Sequence, residues 1–338
     1  MNKWKIASLI LILVLYTTIG FYGYAFLSFI NDSPEDSRFQ QFDESQPNRL
    51  DDGSSQSKLP YGEPKWEGQE RVNILLIGGD SRGLSKYEIP RSDTLMIASI
   101  DPLTERAHLF SLLRDTYVKI PGHGSERVNA AVVLGGPQLA MQTVSQLTGL
   151  DIHYYIYTDF YGFVHLVDEI GGIEFEVEKD MVYSSSADGP EYDINLRKGW
   201  QLLDGNSALQ YVRYRGDAAS DFARTERQRK FMTALAKKLQ STSSILRLPL
   251  ILHKMDPYIE SNINAGEMIK LGTLGFNAKS NEIVELQLPP SKLLQETRRG
   301  GASVIAVDPD ELQSYIRNQL AEPEPTVKQE GTTHATGQ

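Results

Sequence analysis

The chain has 338 residues, 40% of them hydrophobic, with a net charge of −10 and no cysteine. That length buries one large core or two modest ones. The absence of cysteine excludes disulfides, thiolate nucleophiles and zinc-finger ligands, and the acidic balance argues against nucleic acid as a partner.

Residues 6–30 are almost entirely apolar or aromatic and carry no charge. About 20 such residues span a bilayer as a helix, so the run predicts one membrane crossing. Lys3 and Lys5 precede it and an acidic stretch at 31–37 follows, which places residues 1–5 in the cytoplasm and the rest outside the cell membrane. A cleaved signal peptide is the alternative. The run is longer than an ordinary signal-peptide core and ends without an A-x-A site, which favours an uncleaved anchor. Residues 31–70 are rich in Asp, Glu, Ser, Gln, Asn and Pro and read as a flexible extracytoplasmic tether, and residues 321–338 as a disordered tail. Between them, residues 71–320 show no fixed-period repeat and no second polar break, so they read as one domain.

Periodicity gives the class of that domain. Short β-rich runs at 73–79, 94–101, 107–113, 154–160, 173–177, 283–289 and 303–308 alternate with helical patterns at 136–149, 161–171, 222–240 and 308–320. Several strands are apolar on both faces, as in a sheet covered by helices on each side. The expected fold is a single three-layer α/β/α domain with a central mixed sheet.

Charged residues gather at the strand ends. Asp80 and Arg82 follow the first run, Arg91 and Asp93 precede the second, and Arg114 and Asp115 follow the third. One such pair is a surface ion pair contributing about 0–1 kcal/mol, whereas three predict a shared site. Aspartates hold a hard cation such as Mg²⁺ through oxygen, and arginines clamp the phosphate oxygens that the cation also touches.

Residues 213–229 then carry five arginines and no lysine. In a helix over 222–240, Phe231, Met232, Leu235 and Leu239 form one apolar stripe. Continued toward the N-terminus, the stripe reaches Gln228, Arg224 and Asp221, with Arg227 on its edge, and leaves Glu226, Arg229, Lys230 and Lys237 outside. Burying arginine without a partner is expensive, so the first turns of this helix are expected to border a polar cavity or an anion. An internal salt-bridge network with Asp217, Asp221 and Glu226 is the alternative. Arg213 and Arg215, two apart in an extended segment, point to one side and complete a clamp.

The series NILLIGGDSR, RSDTLMIASIDP, SLLRDTYVKIPG, RVNAA, FVHLVDEIGGIEFEV, LDGNSALQYVRYR and DFARTERQR resembles the extracytoplasmic domain of the LytR-CpsA-Psr family, over about residues 71–240 and in family order. The resemblance implies a phosphotransferase that moves an anionic glycopolymer, such as wall teichoic acid, from a polyprenyl-diphosphate carrier to a hydroxyl of peptidoglycan. It implies Mg²⁺, with Mn²⁺ as the alternative ion, held by Asp80 and Asp93. Arg82, Arg114, Arg213, Arg215, Arg224, Arg227 and Gln228 would surround the diphosphate, with Asp221 as the remaining polar residue of that motif. Asp93, Arg114, Arg215 and Arg224 would carry the catalysis. Two positions depart from the family pattern: Leu113 stands where proline is usual, and Arg127 replaces a lysine, keeping charge but not shape. The general base stays open among Asp93, Asp115 and Asp221. The lipid sleeve also stays open, because Val144, Leu147, Phe163 and Leu166 serve equally well as ordinary core. His108, His123, His153, His165 and His253 share no motif and read as surface or structural. Two readings from other classes are a non-catalytic phosphate-polymer binding module and a membrane-bound transcription attenuator; the second needs its basic helix in the cytoplasm.

Overall fold

The structure, a computed structural model, describes residues 37–42, 62, 64–80, 82, 84, 88–184, 189–216, 220–241, 250–278 and 282–321. The expected membrane span at 6–30 lies outside these residues, as does the expected tail at 321–338 except for Ala321, which ends a helix. In chain order the strands are β1 (Val72–Gly79), β2 (Ser92–Ile100), β3 (Ala107–Leu112), β4 (Tyr117–Ile120), β5 (Gly124–Arg127), β6 (Tyr154–Asp159), β7 (Ile173–Val177), β8 (Met181–Tyr183), β9 (Ile194–Leu196), β10 (Gly199–Leu203), β11 (Ile259–Ser261), β12 (Val284–Leu288), β13 (Gln295–Arg299) and β14 (Ala302–Ala306). The helices are α1 (Ala131–Thr148), α2 (Phe160–Glu169), α3 (Gly205–Arg213), α4 (Ser220–Leu239), α5 (Ala265–Asn277) and α6 (Pro309–Ala321), with a further helical stretch at 250–255.

Six strands form a mixed central sheet in the order β11-β6-β1-β2-β3-β12. β1 runs parallel to β6 and β3 parallel to β12, while the other neighbours are antiparallel. Strand alternation divides the side chains between two faces. Leu75, Ile77, Leu95, Ile97, Phe110 and Leu112 pack with α1 and α6 through Val144, Leu147, Leu312 and Ile316. Leu76, Thr94 and Met96 alternate with them and line a cavity roofed by α2, α3 and α4. The runs expected as strands at 173–177 and 303–308 stand apart from this sheet, in two-stranded ribbons β7–β10 and β13–β14.

Local chemistry fixes the element ends around the cavity. Asp159 caps α2 by accepting from the Gly162 amide at 3.0 Å, and Asp204 caps α3 by accepting from the Ser207 amide at 2.8 Å. At the end of β1 the pairing slips: Gly78 faces Thr94 while Gly79 faces Ser92. Asp93 is therefore the extra residue of a bulge, the device by which a strand re-aims one side chain. A Cβ on Gly79 would meet the Tyr157 hydroxyl at 2.3 Å, so close approach of backbone to ring requires glycine there.

The reading of residues 31–70 as a flexible tether does not hold for the parts described. Phe39 is buried against the main core, and Trp66 packs with Val72, Ile74, Tyr154 and Leu274 while its indole donates to the Glu70 carbonyl at 2.8 Å. A polar average hides single aromatic residues that find apolar pockets already built by the sheet.

His108 lies buried on β3, stacked on Phe110 with ring centroids 5.8 Å apart. Burial, reinforced by Arg71 and Arg106, lowers its pKa to about 4. The unfolded chain thus binds the proton first as pH falls, so stability present above about pH 6.5 is lost on the way down to about 4, by roughly 2 kcal/mol at pH 4.5. Denaturant titrations at pH 7 and pH 4.5 are expected to show a smaller pH difference in His108→Gln than in the parent protein.

Candidate active site

The strand ends bring the site together at one edge of the sheet. β1 ends before Asp80, β2 begins beside Asp93, β3 ends before Arg114 and β6 ends at Asp159, paired in register with Gly79. A cavity of about 650 Å³ opens there. Its polar lining includes Asp80, Arg82, Asp93, Arg114, Arg213, Arg215, Arg224 and Gln228. Its body is apolar: Leu76, Met96 and Ile156 from the sheet face Phe163, Leu166, Phe231, Met232, Leu235, Leu239 and Ile251 from the helices. α4 supplies both halves on one stripe, and from Arg224 to Leu239 it runs about 22 Å. Of the residues left open between sleeve and core, Phe163 and Leu166 line the cavity, whereas Val144 and Leu147 belong to the core on the other face.

The charges are interlocked. Asp80 accepts from Arg82 Nε at 2.7 Å through Oδ1 and at 3.0 Å through Oδ2. Asp93 accepts from Arg114 Nη1. Arg114 Nε also approaches Asp115 at 3.8 Å and Asp221 at 3.9 Å, and Arg127 Nη1 holds Asp115 at 3.2 Å. Arg82 and Arg213 share an aromatic seat, each stacked over Phe160 and Tyr192 at 4.9–5.5 Å, a contact suited to the flat guanidinium. Arg224 is only 3% exposed. Its Nη2 meets Asp221 at 2.6 Å, and its Nε has no hydrogen-bond partner among the described residues. A buried donor left in this state marks a place for an acceptor. Burial raises the pKa of Asp221, with Asp115 and Asp93 adding to the rise and Arg114 and Arg215 opposing it.

Two sequence expectations change here. Arg213 is the last residue of α3 rather than part of an extended segment, although it and Arg215 still line the same cavity. Arg229, expected outside the helix stripe, is buried and donates to Ser111 Oγ on β3. α4 has a second buried seam against the sheet edge, continued by Thr233 donating to Glu285 at 2.6 Å, which a single-stripe reading misses. Arg227 is not brought to the cavity lining. Its guanidinium donates to the Tyr214 carbonyl at 2.7 Å, stacks on that ring and meets Glu178 at 3.3 Å. Arg227→Ala is expected to cost about 1–3 kcal/mol by stripping these bonds, read as a melting temperature lower by several degrees. Phe160, Tyr192 and Asp159, which sequence reasoning did not select, complete the site. Tyr192 and Asp159 carry no local signal of that role, since it depends on where α2 and the β8–β9 ribbon come to rest.

No cluster of three or more His, Cys, Asp or Glu side chains suited to a metal occurs among the described residues. Two carboxylates bordering one cavity, Asp80 and Asp93, fit an ion that keeps waters and takes phosphate oxygens from its substrate, as Mg²⁺ does.

The scaffold is thus an α/β domain in which an arginine cluster and an apolar cavity meet at one edge of the sheet. The chain belongs to the LytR-CpsA-Psr family: the LytR_cpsA_psr family matches residues 35–321. It is 30% identical over 224 residues to Regulatory protein MsrR of Staphylococcus aureus (strain COL), a match covering 66% of this chain and 65% of that one. The match thus spans slightly less than two thirds of that relative's length. It is 34% identical over 257 residues to the polyisoprenyl-teichoic acid–peptidoglycan teichoic acid transferase TagU of Enterococcus faecalis (strain ATCC 700802 / V583), covering 75% and 80% of the two chains. The solved structure of TagT bound to LIIa-WTA is 25% identical with a TM-score of 0.61, over 78% of this chain and 96% of that one.

Proposed function

We propose that this protein is a Mg²⁺-dependent phosphotransferase that moves an anionic glycopolymer from a polyprenyl-diphosphate carrier onto a hydroxyl of peptidoglycan. The observation that carries the reading is the joining of the two ligand chemistries in one cavity: arginine forks at the sheet edge and an apolar channel along α4. A prenyl chain fills such a channel while its diphosphate stays at the arginines. Similarity to TagU and to the TagT complex supports the same substrate class.

In this reading Asp80 and Asp93 hold the ion, which supplies counter-charge to the diphosphate. Arg82 and Arg213, held flat by Phe160 and Tyr192, and Arg114, Arg215 and Arg224 bind phosphate oxygens and stabilise the charge that develops as the prenyl phosphate departs. Gln228, whose amide nitrogen donates to the Val212 carbonyl at 3.4 Å, positions the same group. The acceptor hydroxyl attacks phosphorus in line and loses its proton to a nearby carboxylate, while the prenyl phosphate retains the bridging oxygen. Residues 6–30 anchor the chain in the cell membrane with the domain outside.

The test is incubation of the purified protein with lipid-linked glycan, Mg²⁺ and peptidoglycan. Covalent attachment of glycan to the wall polymer is expected. Glycan phosphate released without attachment would make the protein a hydrolase, and ligand retention without turnover would make it a binding module. A reporter fused to the C-terminus is expected to be active only outside the cytoplasm; cytoplasmic activity would revive the attenuator reading.

A further inference from the structure

The segment Ser37 to Phe42 binds the domain beside the cavity. Arg38 is its centre: Nη1 donates to the Tyr157 hydroxyl at 2.8 Å, Nη2 to Asp159 at 3.2 Å and Nε to Glu260 Oε1 at 3.0 Å. The Ser37 hydroxyl donates to the other Glu260 oxygen. Phe39 stands edge-on to Tyr157 with centroids 5.0 Å apart and is 6% exposed. Phe42 sits at the kink of α1, where Gly136 has a φ of 71° and a Cβ would come within 2.9 Å of the phenyl ring. Positive φ and lack of space both require glycine there. The contact is therefore made by both partners, with a guanidinium between two carboxylates and two aromatic rings, Phe39 and Phe42, following it in sequence.

Its position gives it meaning. Asp159, which Arg38 holds, also caps α2 and lines the cavity. It lies opposite Gly79, one residue before Asp80. On the N-terminal side, only residues 31–36 separate Ser37 from the apolar run ending at Ile30. The seven peptide units from Ile30 to Ser37 reach at most about 25 Å. A free tether running from Ile30 to Arg71 would extend to about 140 Å and average about 35 Å.

We propose that Ser37–Phe42 is a clamp that seats the cavity at the membrane surface, so that its partner is the bilayer and a lipid-borne substrate enters the channel without leaving the membrane. The inference rests on the reading of residues 6–30 as a span and of the cavity as a carrier site. It extends both by making the polar segment a spacer of fixed length rather than a loose leash.

The chain's lack of cysteine permits a clean measurement. Full-length protein with Leu103→Cys, a residue 83% exposed at the turn between β2 and β3, is labelled with a donor dye and reconstituted in liposomes containing acceptor-labelled headgroups. Energy transfer is expected to report one narrow distance, which broadens and lengthens in Arg38→Glu/Phe39→Ala. Transfer from a liposome-borne polyprenyl-diphosphate glycan is expected to fall at least about tenfold in that variant, while turnover of a short-chain carrier in solution stays within about twofold, because only the effective concentration at the bilayer has changed. A single cooperative melting transition, lowered only by the lost contacts of Arg38 and Phe39, shows that the domain is intact, and Arg38→Glu with Glu260→Arg is expected to recover part of both signals. Unchanged energy transfer in the variant overturns the clamp. Altered energy transfer with full liposome activity overturns its membrane role. If the parent protein turns over neither carrier, the transferase reading falls while the distance measurement still decides the clamp.

Discussion

Arg224→Lys is expected to lower kcat/KM by about two to three orders of magnitude, the scale of losing one preorganised donor to a developing oxyanion. Lysine keeps the charge but loses the planar fork that meets phosphate oxygens two at a time. The structural alternative, that Arg224 serves the fold, makes a different prediction for Arg224→Ala. Arg224 is 3% exposed with Nε unpartnered among the described residues, and Asp221 retains Arg114 at 3.9 Å when it is gone. If it serves a ligand, removing it from the ligand-free protein is therefore expected to leave the melting temperature unchanged or slightly raised. Added prenyl-diphosphate lipid at fixed Mg²⁺ is expected to stabilise the parent protein by mass action and the variant much less. A variant that melts several degrees lower, yet gains as much from the lipid as the parent, would show the arginine to be structural.

Asp93→Ala is expected to abolish Mg²⁺-dependent turnover, a loss of at least about a thousandfold, since the ion loses a charged oxygen and the diphosphate loses its counter-charge. Asp93 is the unpaired residue of the bulge and borders a cavity, so the melting temperature is expected to move little. The loss of its partner frees Arg114, whose remaining carboxylates stand at 3.8 and 3.9 Å. Rates measured across a Mg²⁺ titration, with melting curves alongside, check both statements. A rate that still rises with Mg²⁺ as in the parent would remove Asp93 from the ion's ligands.

Much of this was legible in the sequence, and the reasons differ by residue. β1, β2, β3 and β6 announce themselves because they are largely buried on both faces and bounded by polar residues, and β12 because apolar and polar residues alternate along it. The stripe of α4 is legible because one helix face lines both the apolar body and the arginine end of the cavity, leaving Arg224 and Gln228 in line with Phe231 and Leu235. Three things were not legible. α3 and α5 are short helices with mixed surfaces, and their strongest local signals are caps: Asp204 on α3, and the reciprocal pair of Asn264 and Glu267 on α5. Arg227 and Arg229 carry the same chemistry as Arg224, and only tertiary neighbours, Glu178 for one and Ser111 for the other, decide where each points. The docking of Phe39 depends on Tyr157, distant in sequence, and composition averaged over forty residues cannot register one ring finding another.

The bulge at the β1–β2 junction has a consequence for variation in this protein. Asp80 and Asp93 are held by adjoining strand ends, with Gly79 opposite Ser92, so their separation is set by the ladder and not by the length of chain between them. Insertions between Arg82 and Arg91 therefore leave the carboxylate pair in place, since lengthening a connection costs little. A single deletion inside β2 would instead turn the strand's faces over, sending Met96 to the wrong layer. Length is thus free to change in the connection and fixed within β2.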